Sequence, residues 1–159
     1  MQAFIGIGSN LADPVAQVRC AIDALDGLER TRRRSASRLY RNPPMGPADQ
    51  PDYVNAVAEV QTALSAHELL GELQGLEARA GRHRDGERWG PRPLDLDLLV
   101  YGDARIDEPA LSVPHPGIAR RAFVLHPLAE IAPALTVPGL GQVAALAGDL
   151  AGHDLVAVE

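Results

Sequence analysis

The run Pro93-Leu94-Asp95-Leu96-Asp97-Leu98-Leu99-Val100 reads as a β-strand with two unlike faces. Side chains alternate along a strand, so Asp95 and Asp97 share one face and Leu94, Leu96, Leu98 and Val100 the other. The apolar face fixes the register, because a slip of one residue would bury the carboxylates. The two aspartate Cα atoms then stand roughly 7 Å apart. At an effective dielectric near 20 their charges repel by about 2 kcal/mol. A hard divalent cation relieves that cost. Just upstream, Arg82-His83-Arg84-Asp85-Gly86-Glu87-Arg88-Trp89-Gly90-Pro91-Arg92 supplies guanidinium forks suited to phosphate oxygens.

Working outward, residues 3–8 read as a short buried strand ending at Gly8-Ser9-Asn10. Asp13 offers an N-cap and Pro14 suits a first helical turn. Val15, Val18, Ile22 and Leu25 follow at helical spacing, and Gly27 closes that helix. A strand is expected over 31–41. Residues 42–52 hold four prolines and a glycine, which predicts a long irregular loop. A second alternating strand is expected over 53–64, with Val54, Ala56, Ala58 and Val60 on one face. Ser65-Ala66-His67-Glu68 is a capping box that opens a helix to about Ala80, with Leu69, Leu70, Leu73 and Leu76 in its stripe. Residues 82–92 form a second long loop before the acidic strand. Gly102-Asp103 predicts a hairpin turn into a short strand near 105–107. Pro114-His115-Pro116-Gly117 is a break. A helix over 118–131, interrupted near Pro127, and a short helix over 140–147 complete the chain.

The order β-α-β-β-α-β predicts an α+β fold: a ferredoxin-like split-βαβ core, mostly antiparallel, with helices packed on the sheet. One domain spanning 1–159 is expected, carrying two long active-site loops.

Composition removes several function classes. All 15 basic residues are arginine, which excludes a Walker-A lysine and a Schiff-base lysine. A net charge of −6 argues against a general nucleic-acid partner. No apolar run reaches about 18 residues, so no membrane partner is expected. No signal-peptide pattern opens the chain, and a cytoplasmic location is the default expectation. Cys20 is the single cysteine, so neither a disulfide nor a cysteine metal cluster forms within the chain.

Beyond Asp95 and Asp97, the arginines at 82, 84, 88 and 92 are candidate phosphate ligands, with Arg92 pinned by Gly90-Pro91-Arg92-Pro93. Trp89 suits a lid or a stacking surface. His115 is directed by its flanking prolines and suits donation to a phosphate. Tyr53, Asn55 and Phe123 suit a flat pocket for a planar ring. These residues alone leave open a metal-dependent phosphohydrolase and a ligand-binding regulatory module.

Across most of its length the chain resembles the 6-hydroxymethyl-7,8-dihydropterin pyrophosphokinases of folate biosynthesis. The resemblance rests on Ile7-Gly8-Ser9-Asn10-Leu11, Pro43-Pro44-Met45-Gly46, Gln50-Pro51-Asp52-Tyr53-Val54-Asn55 and Arg88-Trp89-Gly90-Pro91-Arg92-Pro93-Leu94-Asp95-Leu96-Asp97. Val113-Pro114-His115-Pro116, Arg121-Ala122-Phe123-Val124-Leu125 and Pro127-Leu128-Ala129-Glu130-Ile131 continue it. The resemblance implies pyrophosphate transfer from ATP to the pterin hydroxymethyl group, releasing AMP. It implies two Mg2+ ions on Asp95 and Asp97. Arg82, Arg92, His115 and Arg121 would act on the phosphates, joined by Arg84. The pterin would stack between Tyr53 and Phe123, read by Asn55, with Asn10, Asn42, Pro43, Met45 and Trp89 completing the pocket. Gln74, Glu77, Leu98, Leu111 and Ser112 would receive the adenosine. A monomer acting on these two small molecules is expected.

Overall fold

The computed structural model describes residues 1–10, 13–42, 52–80, 94–150 and 155–158. Strand β1 (Gln2–Ser9) is followed by helix α1 (Pro14–Leu25). The Asp13 side chain caps α1 by accepting from the Ala16 N–H, and Val18, Ala21, Ile22 and Leu25 form its buried stripe. Next come β2 (Thr31–Ala36), β3 (Tyr40–Asn42) and β4 (Tyr53–Thr62). The capping box at Ser65 and Glu68 opens α2 (Ala66–Arg79), as its spacing predicts. Strand β5 (Asp95–Tyr101) carries the acidic pair.

The four core strands lie in the order β2-β4-β1-β5, and every pair is antiparallel. Both crossovers, β1-α1-β2 and β4-α2-β5, skip a strand. This is the expected split-βαβ arrangement. One face packs Ile5, Ile7, Val54, Ala58 and Leu96 against α1 and α2, where Val18, Leu25, Leu69 and Leu73 meet them. The other face packs Phe4, Val57 and Leu99 against the chain beyond β5.

Four details depart from the sequence expectations. The strand predicted over 31–41 is two strands. From Ala36 to Tyr40 the chain advances four residues while its partner retreats three, from Ala58 to Asn55, so one residue bulges. Ser37 patches the gap: its N–H donates to the Val57 carbonyl at 2.8 Å, and its hydroxyl oxygen accepts from the Val57 N–H at 2.9 Å. Second, Val100 does not share the face of Leu98. The β1–β5 register shifts between Phe4 and Ile5, which sends both Leu99 and Val100 into the second cluster.

Third, the turn at Gly102 does not return the chain along β5. The inner edge of β5 is taken by β1, and the Leu99 carbonyl accepts from the His115 N–H at 2.8 Å. Strand β6 (Ile106–Asp107) therefore pairs with β7 (Ser112–Val113) as a separate ribbon. Fourth, Pro127 does not interrupt the late helix. A 3₁₀ turn at Ile118–Arg120 ends at Arg121, whose backbone is extended, and α3 (Ala122–Ile131) then runs through Pro127. Pro127 is buried there, so packing offsets its missing helical hydrogen bond.

The remainder was not foreseen in detail. A ribbon of β8 (Thr136–Val137) and β9 (Gly141–Gln142) precedes α4 (Val143–Gly148), close to the predicted short helix. Strand β10 (Val156–Ala157) pairs with β3 and extends the sheet. Among the described residues no helix is long and apolar enough to cross a membrane.

Ser37→Ala leaves the buried Val57 N–H without its partner. Urea denaturation is expected to show a loss of about 2 kcal/mol. A loss within error of zero would show that the bulge is held by packing alone.

Candidate active site

Helix α3 covers only part of the second face of the sheet. On this face cross-strand partners line up in rows. One row runs Asp95, Gly8, Asn55 across β5, β1 and β4; the next runs Asp97, Gly6, Val57. Partners directly opposite in antiparallel strands share a face. The two aspartates and Asn55 therefore flank a central strand that has no side chains between them. The glycines leave room there. A Cβ at Gly8 would stand 2.7 Å from Asn55 Oδ1, and one at Gly6 3.3 Å from the Leu99 side chain. In the sequence, Gly8 reads as a tight strand end. In the structure it lies within β1 and clears the floor between a carboxylate and an amide. The cue was its placement opposite the acidic strand, which the sequence alone does not give.

Tyr53 lies two residues before Asn55 on β4, so it shares that face, and Asn42 of β3 is its cross-strand partner. Asn55 is buried and its Nδ2 donates to Asn42 Oδ1. Asn10 is fully buried just beyond the end of β1.

The opposite wall comes from the break at Pro114-His115-Pro116-Gly117 and the start of α3. The Arg121 guanidinium lies over the Phe123 ring, 5.8 Å from its centroid. Gly117 makes room for it: a Cβ there would be 2.8 Å from Arg121 Nε. The first turn of α3 has no acidic side chain, so its positive end adds to the charge of Arg121. His115 is fixed twice, by its backbone N–H on Leu99 and by the Gly117 N–H donating to Nδ1 at 3.0 Å. Because Nδ1 accepts, the proton of the neutral ring sits on Nε2. That Nε2 is 3.9 Å from Asp97 Oδ1. Burial lowers the His115 pKa, Asp97 opposes the shift and Arg121 reinforces it. The imidazole is thus a neutral donor aimed beside the acidic pair.

A cavity of about 210 Å³ opens along the outer edge of β5. Leu70, Leu98, Leu111 and Ser112 line it, and Asp97 and His115 belong to the same wall. The structure thereby joins three candidate nucleotide residues to the acidic pair. Of the other two, Gln74 is exposed on α2, while Glu77 is buried and its Oε2 accepts from the Leu96 N–H at 2.8 Å. Glu77 therefore ties α2 to the acidic strand. Arg82, Arg84, Trp89, Arg92, Pro43 and Met45 lie outside the described residues.

Among the described residues no group of three or more His, Cys, Asp or Glu gathers as a metal cage. Two partly exposed carboxylates on one strand face are a donor set that fits magnesium, which keeps water and substrate phosphate oxygens in its shell. Asp97 belongs both to the cavity wall and to the row on the sheet face.

In the metal-free protein, an NMR titration of His115 should give a midpoint below the ordinary histidine range. Arg121→Ala removes one lowering cause and should move it up. Asp97→Asn removes the raising cause and should move it further down. A midpoint indifferent to both substitutions would place His115 outside this cluster.

The family model for 7,8-dihydro-6-hydroxymethylpterin-pyrophosphokinase (HPPK) matches residues 4–133. The 2-amino-4-hydroxy-6-hydroxymethyldihydropteridine pyrophosphokinase of Pseudomonas aeruginosa is 49% identical over 137 residues, covering 86% of this chain and 84% of that one. Its namesake in Haemophilus influenzae is 44% identical over 154 residues, covering 97% and 96%. Among solved structures, Plasmodium falciparum HPPK-DHPS with pteroate superposes with a TM-score of 0.74 over 93% of this chain, at 13% identity. That likeness concerns the fold, and the chain spans only 42% of that longer protein. With a family model across most of its length and relatives above two-fifths identity, the chain belongs to the 7,8-dihydro-6-hydroxymethylpterin-pyrophosphokinase family.

Proposed function

We propose that the protein transfers pyrophosphate from ATP to 6-hydroxymethyl-7,8-dihydropterin, giving AMP and the pterin diphosphate. The observation that carries this reading is the row Asp95–Gly8–Asn55, which sets a carboxylate and an amide on either side of a bare floor. A planar ring fits flat on such a floor, with its hydroxymethyl group toward the acidic strand.

Adenosine occupies the cavity beside Leu98, Leu111 and Ser112, near Gln74 and Glu77. The triphosphate runs past Asp97 and His115 onto the open face. The pterin stacks between Tyr53 and Phe123, its edge read by Asn55, with Asn10, Asn42, Pro43, Met45 and Trp89 around it. The hydroxymethyl oxygen attacks the β-phosphorus. That O–P bond forms as the bond from the β-phosphorus to the bridging oxygen of AMP breaks, and the hydroxyl proton is lost. Such transfer asks the protein mainly for alignment and charge neutralisation. His115 donates from Nε2 to a phosphate oxygen, while Arg121, Arg82, Arg84 and Arg92 neutralise the phosphates. Two magnesium ions, held by Asp95 and Asp97, would supply further neutralisation and acidify the attacking hydroxyl. Residues 42–52 and 82–92, expected from the sequence to act as lids that keep water from competing, lie almost wholly outside the described residues.

Incubation with ATP and magnesium, with and without the reduced pterin, tests the reading. AMP is expected only when pterin is present. Phosphate release without pterin, and no AMP with it, would instead favour a phosphohydrolase. Asp97→Ala should lower AMP formation at least about a thousandfold, with an unchanged far-UV circular dichroism spectrum. Retained turnover would remove Asp97 from the metal site.

A further inference from the structure

The Asn55 amide is not free to turn. Its nitrogen end points across to β3, where Nδ2 donates to Asn42 Oδ1. Its oxygen end points the other way, toward β1, so close above Gly8 that a Cβ there would be 2.7 Å away. Both contacts describe one orientation of the amide. The amide spans the strand with its donor end engaged and its acceptor end over the bare floor. Both asparagines are buried. An asparagine amide has a broad, nearly two-fold terminal torsion, so little in the side chain itself chooses between its two orientations. The neighbour that accepts the Nδ2 proton makes the choice.

We propose that Asn42 is a specificity-positioning residue: by holding Asn55 Nδ2, it commits Asn55 Oδ1 to the open face as an acceptor for a ring N–H or amino hydrogen of the planar substrate. This rests on the reading that the pterin lies over Gly8, and it adds to Asn42's place in the pocket a role exerted through Asn55. A heterocycle with an N–H at that edge is accepted. One that presents only acceptors there faces oxygen against oxygen and is refused. Without Asn42, the amide can turn and offer N–H instead, and the commitment is lost.

The test is steady-state kinetics with pterin and ATP titrated separately, on Asn42→Val, Asn42→Asp, Asn55→Ala and Asn55→Asp, each with a thermal melt. Asn42→Val should raise the pterin KM about tenfold, and by more than it changes the ATP KM. Asn42→Asp still offers an oxygen to Asn55 Nδ2, so its pterin KM should rise clearly less than that of Asn42→Val. Asn55→Asp keeps an acceptor over Gly8 without touching Asn42, and should bind pterin better than Asn55→Ala. An unchanged pterin KM in Asn42→Val, equal damage from Asn42→Asp and Asn42→Val, or equal damage from the two Asn55 variants would each overturn the orienting role. An unchanged pterin KM in Asn55→Ala would instead overturn the placement of the pterin itself.

Discussion

The open face depends on the register of β1 between its two neighbours. Gly8 must meet Asp95 on one side and Asn55 on the other for the bare floor to lie between them. A slip of one residue would put Ile7 or Ser9 there and send the aspartates to the apolar side. Several features hold the register. Ile5 and Ile7 are buried against α1 and α2, so moving them exposes apolar surface. The irregularity between Phe4 and Ile5 accommodates Leu99 at one point and no other. Glu77 reaches from α2 to the Leu96 N–H, between the two aspartates in sequence, and so anchors the strand where its face matters.

The same sheet face is divided between structure and chemistry, and α3 draws the line. Its apolar side covers Phe4, Val57 and Leu99, which closes half the face. Its first turn presents Arg121 and Phe123 at the boundary of the other half. Polar ties pull its far end onto β3. Glu130 accepts from the Tyr40 hydroxyl and from the Arg38 N–H at 2.9 Å. Partial burial, reinforced by Glu130, raises the Tyr40 pKa, so the phenol remains a donor. Tyr40 is the cross-strand partner of Asn55. A contact about ten ångströms along α3 from Phe123 thus helps set the strand that carries Asn42.

Periodic features of this fold were legible in the sequence, and positions fixed by long-range pairing were not. The apolar spacing in α1 and α2, the Ser65–Glu68 capping box and the acidic face of β5 are local patterns, and the structure reproduces them. The break at Ser37 depends on what β4 does twenty residues later, so alternation alone predicted an unbroken strand. Pro127 read as an interruption because its cost is local, whereas the burial that offsets it is tertiary. In the site, residues with chemical side chains stood out: Asp95, Asp97, His115, Arg121, Asn55. The glycines that make their arrangement usable did not. Gly8 and Gly117 act by lacking a Cβ, and that matters only once Asn55 and Arg121 are placed against them.

The two halves of the proposed site run on different physics. On the nucleotide side, an acidic protein with a net charge of −6 must hold a polyanion beside two carboxylates. In the proposed reading cations offset that repulsion: Arg121 and the start of α3 offer fixed positive charge, and magnesium would supply the rest. Burial and Arg121 together outweigh the pull of Asp97 and favour the neutral form of His115. In that form it can donate a hydrogen bond from Nε2 without adding positive charge. On the pterin side the selecting groups are uncharged. In the proposed reading, a floor without side chains, an aromatic wall and an amide held by its neighbour would select a flat ring by shape and by the sense of one hydrogen bond. Charge handles a ligand whose phosphates are many and alike, and a fixed neutral acceptor handles a ring whose edge must be told from its analogues. Asp95 and Asn55, one backbone apart across Gly8, are where the two requirements meet.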